Sequence, residues 1–435
     1  MKERLEIVPL TEPPVVTVRV PGSKSITNRA LVLAALCGTE GCELRGVLRS
    51  EDVEMMIGCL GALGFHVETR WSESRIRVYS EERGQVGPIP YQKAELFVGN
   101  SGTTMRFVTA LVSLGHGRYR LDGIPRMRER PIEDLLSALR QLGVIAHSEN
   151  GTGCPPVVIE SQGLRGGVVR IRGDLSSQFF SGLLMVAPFA QDWITVAVEG
   201  RFVSWPYVLM TVDLMKQFGA EVLPTMDSTF IVPAPRQYHR AVFEIEPDAS
   251  AASYFWGAAA VTGGTVCLPG LTKDSIQGDV KFVELLDQMG CRVERETASL
   301  IVHGGPLHGI DVDMNDISDT VMTLGAVALF ADGPTTIRNV AHIRHKETDR
   351  LAALATELRR VGAEVEEFAD GLHITPRPLH GAEIETYNDH RMAMSMALVG
   401  LKVPGIVIKD PGCVAKTYPN FFSDLEQLRD VASPR

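Results

Sequence analysis

The residues with most to offer chemically are cations set beside turn and helix-capping residues. Lys24 and Arg29 belong to a start at Ser23-Lys24-Ser25, Arg106 follows Asn100-Ser101-Gly102-Thr103, and Arg391 follows Asn388-Asp389-His390. Three loops are also basic: Pro125 to Pro131 (PRMRERP), Arg344 to Arg350 (RHKETDR) and Lys409 to Lys416 (KDPGCVAK). Further capping chemistry stands at Ser176-Ser177-Gln178, Asp248-Ala249-Ser250 and Ser318-Asp319, each ahead of a run of small apolar residues. One Ser, Thr, Asp or Asn in such a place is an ordinary N-cap. Six at equivalent places, with cations beside them, imply helix N-termini whose free N–H groups and partial positive charge form a site for anions.

Other chemistries find less support. Gly22-Ser23-Lys24-Ser25 resembles the end of a phosphate-binding loop, but Ser23 occupies the required glycine and Val18 the earlier one. Gly151-Thr152-Gly153 lacks the third glycine and the acid of a dinucleotide fingerprint. Cys413 lies near Lys416 and could be an activated thiolate, although a packed thiol fits the pattern better. The seven cysteines include no CxxC pair, so free thiols are expected. His342 and His345 have no further ligand cluster, so neither a metal nor another cofactor is expected.

The elements that must position these residues repeat along the chain. A helix tail of the form apolar-x-x-apolar-Gly ends at Gly64, Gly143, Gly219, Gly290 and Gly362, with separations of 79, 76, 71 and 72 residues. Glycine suits the position after a helix, where φ is positive. Each is followed by a segment that reads as a hairpin: Val67 to Val78, Val144 to Ile159, Val222 to Val232, Val293 to Val302 and Val365 to Ile374. Between them stand helices rich in small apolar residues, each followed by a strand. The pattern predicts six helix–strand–helix–strand units, the last truncated after its first half, with the nearly all-apolar helices buried. The expected class is α/β: a two-lobed inside-out α/β barrel, three repeats per lobe, with helices inside and sheets outside. The polar stretch Pro233–Arg240 suggests a boundary, giving lobes of 21–240 and of 1–20 with 241–435, and a hinge where the chain crosses.

Composition constrains the class. The chain is 45% apolar and 22% charged, with a net charge of −10, which argues against a general binder of nucleic acid or membrane surfaces. The start, MKERLEIVPL, has no signal-peptide core, and no apolar run approaches the length of a membrane helix. A soluble, cytoplasmic protein acting as a monomer is expected.

PGSKSITNRA, GNSGTTMRF, PRMRERPI, GDLSSQFFSGLLM, KETDRL, TYNDHRMAMSMAL and DPGCVAKTYP, in that order from Pro21 to Phe422, resemble the 5-enolpyruvylshikimate-3-phosphate synthase family. The resemblance implies transfer of the enolpyruvyl group of phosphoenolpyruvate to the 5-hydroxyl of shikimate 3-phosphate, with release of phosphate, in a site between two lobes. It implies that Lys24, Ser25, Arg29, Ser176, Ser177, Gln178, Ser204, Tyr207, Asp319, His342 and Lys346 serve shikimate 3-phosphate. It assigns Lys24, Asn100, Gly102, Arg126, Gln178, Arg350, His390, Arg391 and Lys416 to phosphoenolpyruvate, and leaves Arg106 a structural role. Asp319, Glu347 and Lys24 become the proton-handling groups: Asp319 as base toward the 5-hydroxyl, Glu347 with Lys24 at the methylene carbon and departing phosphate. For Glu347 the plainer alternative is an ion pair with Arg350 at i, i+3. Charge agrees: two phosphates and two carboxylates bring roughly −5 to −6, and Lys24, Arg29, Arg126, Arg350, Arg391 and Lys416 supply matching cations.

Three departures from the family pattern stand out. Phe107 replaces a common proline, which puts the entry of its helix, the placement of Gly102 and the binding of glyphosate-like donor mimics in question. Trp205 and His342 stand where Lys and Asn are common. Two other readings compete: a UDP-N-acetylglucosamine enolpyruvyl transferase, whose usual loop cysteine is missing from RMRERP, and a non-catalytic anion-binding protein on the same scaffold.

Overall fold

The computed structural model describes residues 3–81, 87–225 and 229–429. It divides into two compact units, residues 22–245 and residues 1–21 with 246–435. The helices of the first are α1 (Lys24–Ala35), α2 (Glu51–Ala62), α3 (Gly102–Leu111), α4 (Glu133–Gln141), α5 (Ser177–Val186) and α6 (Trp205–Gln217). The second holds α7 (Ala249–Thr262), α8 (Phe282–Gln288), α9 (Val321–Ala328), α10 (Arg350–Arg360) and α11 (His390–Gly400), besides a short helix, Phe421–Leu425, near its end.

The odd-numbered helices α1 to α11 are the small-residue ones, and they are buried almost all round. They pack on one another at the centre of their own unit, α1 on α3 and α3 on α5, with α7, α9 and α11 in mutual contact. Ala, Gly, Ser and Thr on these faces let backbones approach closely. A Cβ on Gly257 of α7 would stand 3.0 Å from Leu398 of α11 and from Thr323 of α9.

Among the described residues each unit has three sheets around these helices. In the sheet ordered Lys93–Phe97, His116–Asp122, Val157–Gln162, Ile145–Ser148, the first two strands are parallel and the remaining pairings antiparallel. The first strand alternates exposed Lys93, Glu95 and Phe97 with buried Ala94 and Leu96, as a sheet with one wet face requires. Four other sheets share this arrangement, and the five tail glycines have φ between 88° and 114°. All five predicted hairpins form.

Strands from the N-terminal segment and from the stretch before the unit boundary close these repeats. Val242–Glu244 supplies the leading strand beside Cys42–Arg45, and Val15–Thr17 supplies that beside Thr265–Pro269. The truncated sixth repeat gains an antiparallel partner, because Arg4–Ile7 pairs with Ile406–Lys409. The unit boundary falls after Ile245 rather than in the polar stretch. That stretch packs: Tyr238 is fully buried, and its hydroxyl donates to the Met185 carbonyl at 2.8 Å.

Candidate active site

Five of the six small-residue helices begin as expected, with Ser23, Ser101, Ser176, Asp248 and Asp389 accepting a hydrogen bond from the first-turn backbone. The start at Ser318-Asp319 differs. It forms a 3₁₀ turn, Ser318–Thr320, ahead of α9, and the Asp319 side chain is committed to cations instead of a cap.

In the unit of residues 22–245, Lys24 opens α1 and its Nζ lies 3.3 Å from Oδ2 of Asp52, a nearly buried residue in the first turn of α2. Ser25 is half-buried, and its carbonyl accepts from Nη1 of Arg29 at 3.0 Å. Arg29 is 1% exposed. Its Nε donates to Thr211 at 2.7 Å, its Nη2 to Ser181 and the Tyr207 carbonyl, and its guanidinium lies 5.0 Å from the Phe107 ring. Burial pulls its pKa down to about 9. Arg29 ties α1 to α5 and α6. Phe107 is thus explained: its ring forms one wall of the Arg29 cage, while α3 still begins at Gly102 under the Ser101 cap.

Arg130, 3% exposed, donates from Nη1 to the Asn100 carbonyl at 3.1 Å and to its side-chain oxygen at 3.4 Å. A Cβ on Gly102 would stand 2.5 Å from Nη2 of Arg130 and 3.3 Å from Nη1 of Arg106, so a side chain there would displace the Arg130 guanidinium. Arg106 donates to the Gly102 and Pro131 carbonyls and fixes this corner. Arg126 is a third exposed and pairs with Glu129 at 2.8 Å. Ser176 caps α5, Ser177 is buried and Gln178 half-buried. Ser204 has a left-handed backbone, φ 54°, at the start of α6, and the Tyr207 carbonyl accepts from both Thr211 and Arg29. Trp205 packs against Phe202 and Phe230.

In the other unit, three carboxylates surround one guanidinium. Arg350, first residue of α10 and 1% exposed, donates from Nε to Oδ2 of Asp389 at 2.7 Å, from Nη2 to Glu347 at 2.8 Å and from Nη1 to Asp319 at 3.2 Å. Burial pulls its pKa down, but Asp389, Glu347 and Asp319 outweigh that and raise it overall. Arg391 donates from Nη2 to the second Asp319 oxygen at 2.7 Å and from Nη1 to the Tyr254 hydroxyl at 3.3 Å. Lys346 lies 3.7 Å from Asp319, and buried Lys416 3.9 Å from Glu347. The i, i+3 pair of Glu347 with Arg350 is therefore made, alongside the contact with Lys416.

Two histidines are held below their ordinary pKa. His390 is fully buried, with Nδ1 3.5 Å from Asp389, and burial and then Arg391 hold its pKa well below the ordinary value. His342 is lowered to about 3 by burial and by Lys346. Cys413 is buried and its thiol is pushed up to about 12, which leaves no thiolate nucleophile at neutral pH.

Sequence reasoning treated Asp389 only as a cap and did not single out Asp52, Arg130 or Tyr254. Asp389 does two jobs, capping α11 through the Arg391 N–H and clamping Arg350 across 39 residues. Its signal was the adjacency to His390 and Arg391. Tyr254 offered none.

Buried cations held in register by carboxylates, on all-helical centres wrapped by mixed sheets, define an enzyme of anionic substrates with inside-out α/β architecture. Residues 12–425 match the family model described as EPSP synthase (3-phosphoshikimate 1-carboxyvinyltransferase), and the chain belongs to that family. It is 50% identical over 422 residues to a 3-phosphoshikimate 1-carboxyvinyltransferase of Trichormus variabilis, covering 97% of this chain and 98% of the relative. A protein of the same name from Shewanella amazonensis is 47% identical, with 94% and 96% covered. The solved EPSP synthase of Acinetobacter baumannii shares the fold, with a TM-score of 0.82 at 24% identity and 98% of each chain covered. Among the described residues no helix is long and apolar enough to cross a membrane.

Proposed function

We infer that the chain is a 3-phosphoshikimate 1-carboxyvinyltransferase, moving the enolpyruvyl group of phosphoenolpyruvate to the 5-hydroxyl of shikimate 3-phosphate and releasing phosphate. The observation that carries this reading is the family match over nearly the whole chain. The enzyme then serves the shikimate route to chorismate and the aromatic amino acids.

The chemistry requires a proton at C3 of the donor while the 5-hydroxyl oxygen attacks C2, then loss of a proton from the same carbon as phosphate departs. Asp319 is the base toward the 5-hydroxyl, and Glu347 with Lys24 handles the proton at the methylene carbon and the departing phosphate. Arg350, Arg391, Lys416 and Arg126 clamp the donor's phosphate and carboxylate, with Asn100, Gly102, Gln178 and His390 beside them. Lys24, Ser25, Ser176, Ser177, Gln178, Ser204, Tyr207, His342 and Lys346 serve the acceptor. Arg29 joins them in serving the acceptor, and it also holds the Ser25 and Tyr207 carbonyls. Charge-assisted hydrogen bonds are worth about 1.5–3 kcal/mol each, so anionic ligands would compete directly with the carboxylates that now hold these cations. The enzyme works as a cytoplasmic monomer.

Phosphate release from phosphoenolpyruvate tests the reading, measured with shikimate 3-phosphate, with UDP-N-acetylglucosamine and with neither. Release that depends on shikimate 3-phosphate is expected. Release only with the nucleotide sugar, or with neither acceptor, would overturn it.

A further inference from the structure

Two consecutive non-glycine residues, Tyr387 and Asn388, have left-handed backbones with φ of 55° and 52°. Side-chain sterics disfavour that region, so such a pair persists only where its surroundings over-determine it. It lies directly before Asp389, His390 and Arg391, and the Asp389 N–H closes the turn by donating to the Thr386 carbonyl at 2.9 Å.

The surroundings are supplied by α10. Its first residue, Arg350, grips Asp389 through Nε and Nη2. Two turns on, on the same face of the helix, stands Glu357, fully buried. Its Oε1 accepts from the Tyr387 hydroxyl at 2.7 Å, its Oε2 accepts from the Glu385 N–H at 3.2 Å, and Oε2 forms an ion pair with Nε of Arg360 at 2.9 Å. A buried carboxylate is retained at a desolvation cost unless its acceptor sites are filled, and here the donors come chiefly from the turn. Neither Glu357 nor Tyr387 has a role in the reaction as assigned above.

We propose that Glu357 and Tyr387 are positioning residues for the donor cations: the buried carboxylate, holding the Tyr387 hydroxyl and the Glu385 amide, imposes the left-handed turn that sets Asp389, and with it Arg350 and Arg391. This rests on the reading of Arg350 and Arg391 as donor-binding groups, but its first consequence is a property of the ligand-free protein. With the Tyr387 hydroxyl removed, the turn loses one of its anchors and relaxes, while the α7, α9 and α11 packing is untouched.

Hydrogen exchange and steady-state kinetics on Tyr387→Phe test this. Amides of residues 385–391 should exchange about tenfold faster with α9 unchanged. The KM for phosphoenolpyruvate should rise about three- to tenfold, as for one lost hydrogen bond, with the KM for shikimate 3-phosphate unaffected. Glu357→Gln, which keeps an oxygen for the hydroxyl but presents an amide nitrogen to the Glu385 N–H, should give the same pattern at least as strongly, and serves if Tyr387→Phe does not fold. Unchanged exchange at 385–391 overturns the proposal, as does faster exchange with an unchanged KM for phosphoenolpyruvate. Both KM values and α9 exchange moving together would show a merely structural role and also overturn it. If the wild-type protein shows no acceptor-dependent phosphate release, the functional reading fails, whereas the exchange comparison still decides whether the turn is held by this clamp.

Discussion

Asp319 carries more than one duty. Its two oxygens are shared between Arg350 and Arg391, so it orients both guanidinium groups besides being the proposed base. Asp319→Ala should lower turnover by roughly 10²–10⁴ with a modest change in either KM, because Asp389 still holds Arg350. Near-normal turnover would reject the assignment. His342 makes a separate prediction. It is buried and neutral in the fold with a pKa of about 3, against about 6.5 in an unfolded chain. A lowered pKa means protons bind preferentially to the unfolded state, so this contribution to stability is intact above about 6.5 and is lost as pH falls toward about 3. Between pH 7 and pH 5, the urea midpoint of His342→Gln should therefore fall less than that of the wild type. Parallel declines would contradict the buried neutral imidazole.

Among the elements, the N-terminus of α3 shows how tightly helix placement and the packing of a buried guanidinium are joined. Arg130 fills the space where a Cβ on Gly102 would be, and at the same time holds both oxygens of Asn100. Gly102→Ala should push Arg130 aside, release Asn100 and raise the KM for phosphoenolpyruvate more than that for shikimate 3-phosphate. Equal effects on both substrates would argue against this placement of the donor. Helices, hairpins and tail glycines were legible in the sequence because their signals are local: apolar periodicity, capping side chains and positive φ after a helix. The 3₁₀ turn at Ser318–Thr320 was not, since whether an Asp caps or binds cations depends on Arg350 and Arg391, which are distant in the chain. The same holds for Arg29. Its cage of Thr211, Ser181 and Phe107 comes from helices whose packing no local pattern reports.

At the scale of the whole molecule, the N-terminal strands complete repeats that the C-terminal half begins. Ile7 is 5% exposed and pairs with Ile406, and Gly400 lies so close that a Cβ there would meet its side chain at 2.5 Å. Ile7→Ala should remove about 2–5 kcal/mol of stability, read as a melting temperature lower by about 4 °C or more; an unchanged melting temperature would contradict the strand's contribution. Net charge was a poor guide to the ligand. The chain is acidic at −10, yet the cations assigned to the reaction are few and mostly buried: Arg350, Arg391 and Lys416 are each 5% exposed or less. The central claim is enolpyruvyl transfer in which the methylene carbon of the donor transiently becomes a methyl group. Running the reaction in deuterium oxide and recording the proton spectrum of the product tests it directly. Deuterium is expected in the vinyl position of an ether formed at the 5-hydroxyl. An ether formed without deuterium, or no ether at all, would contradict it.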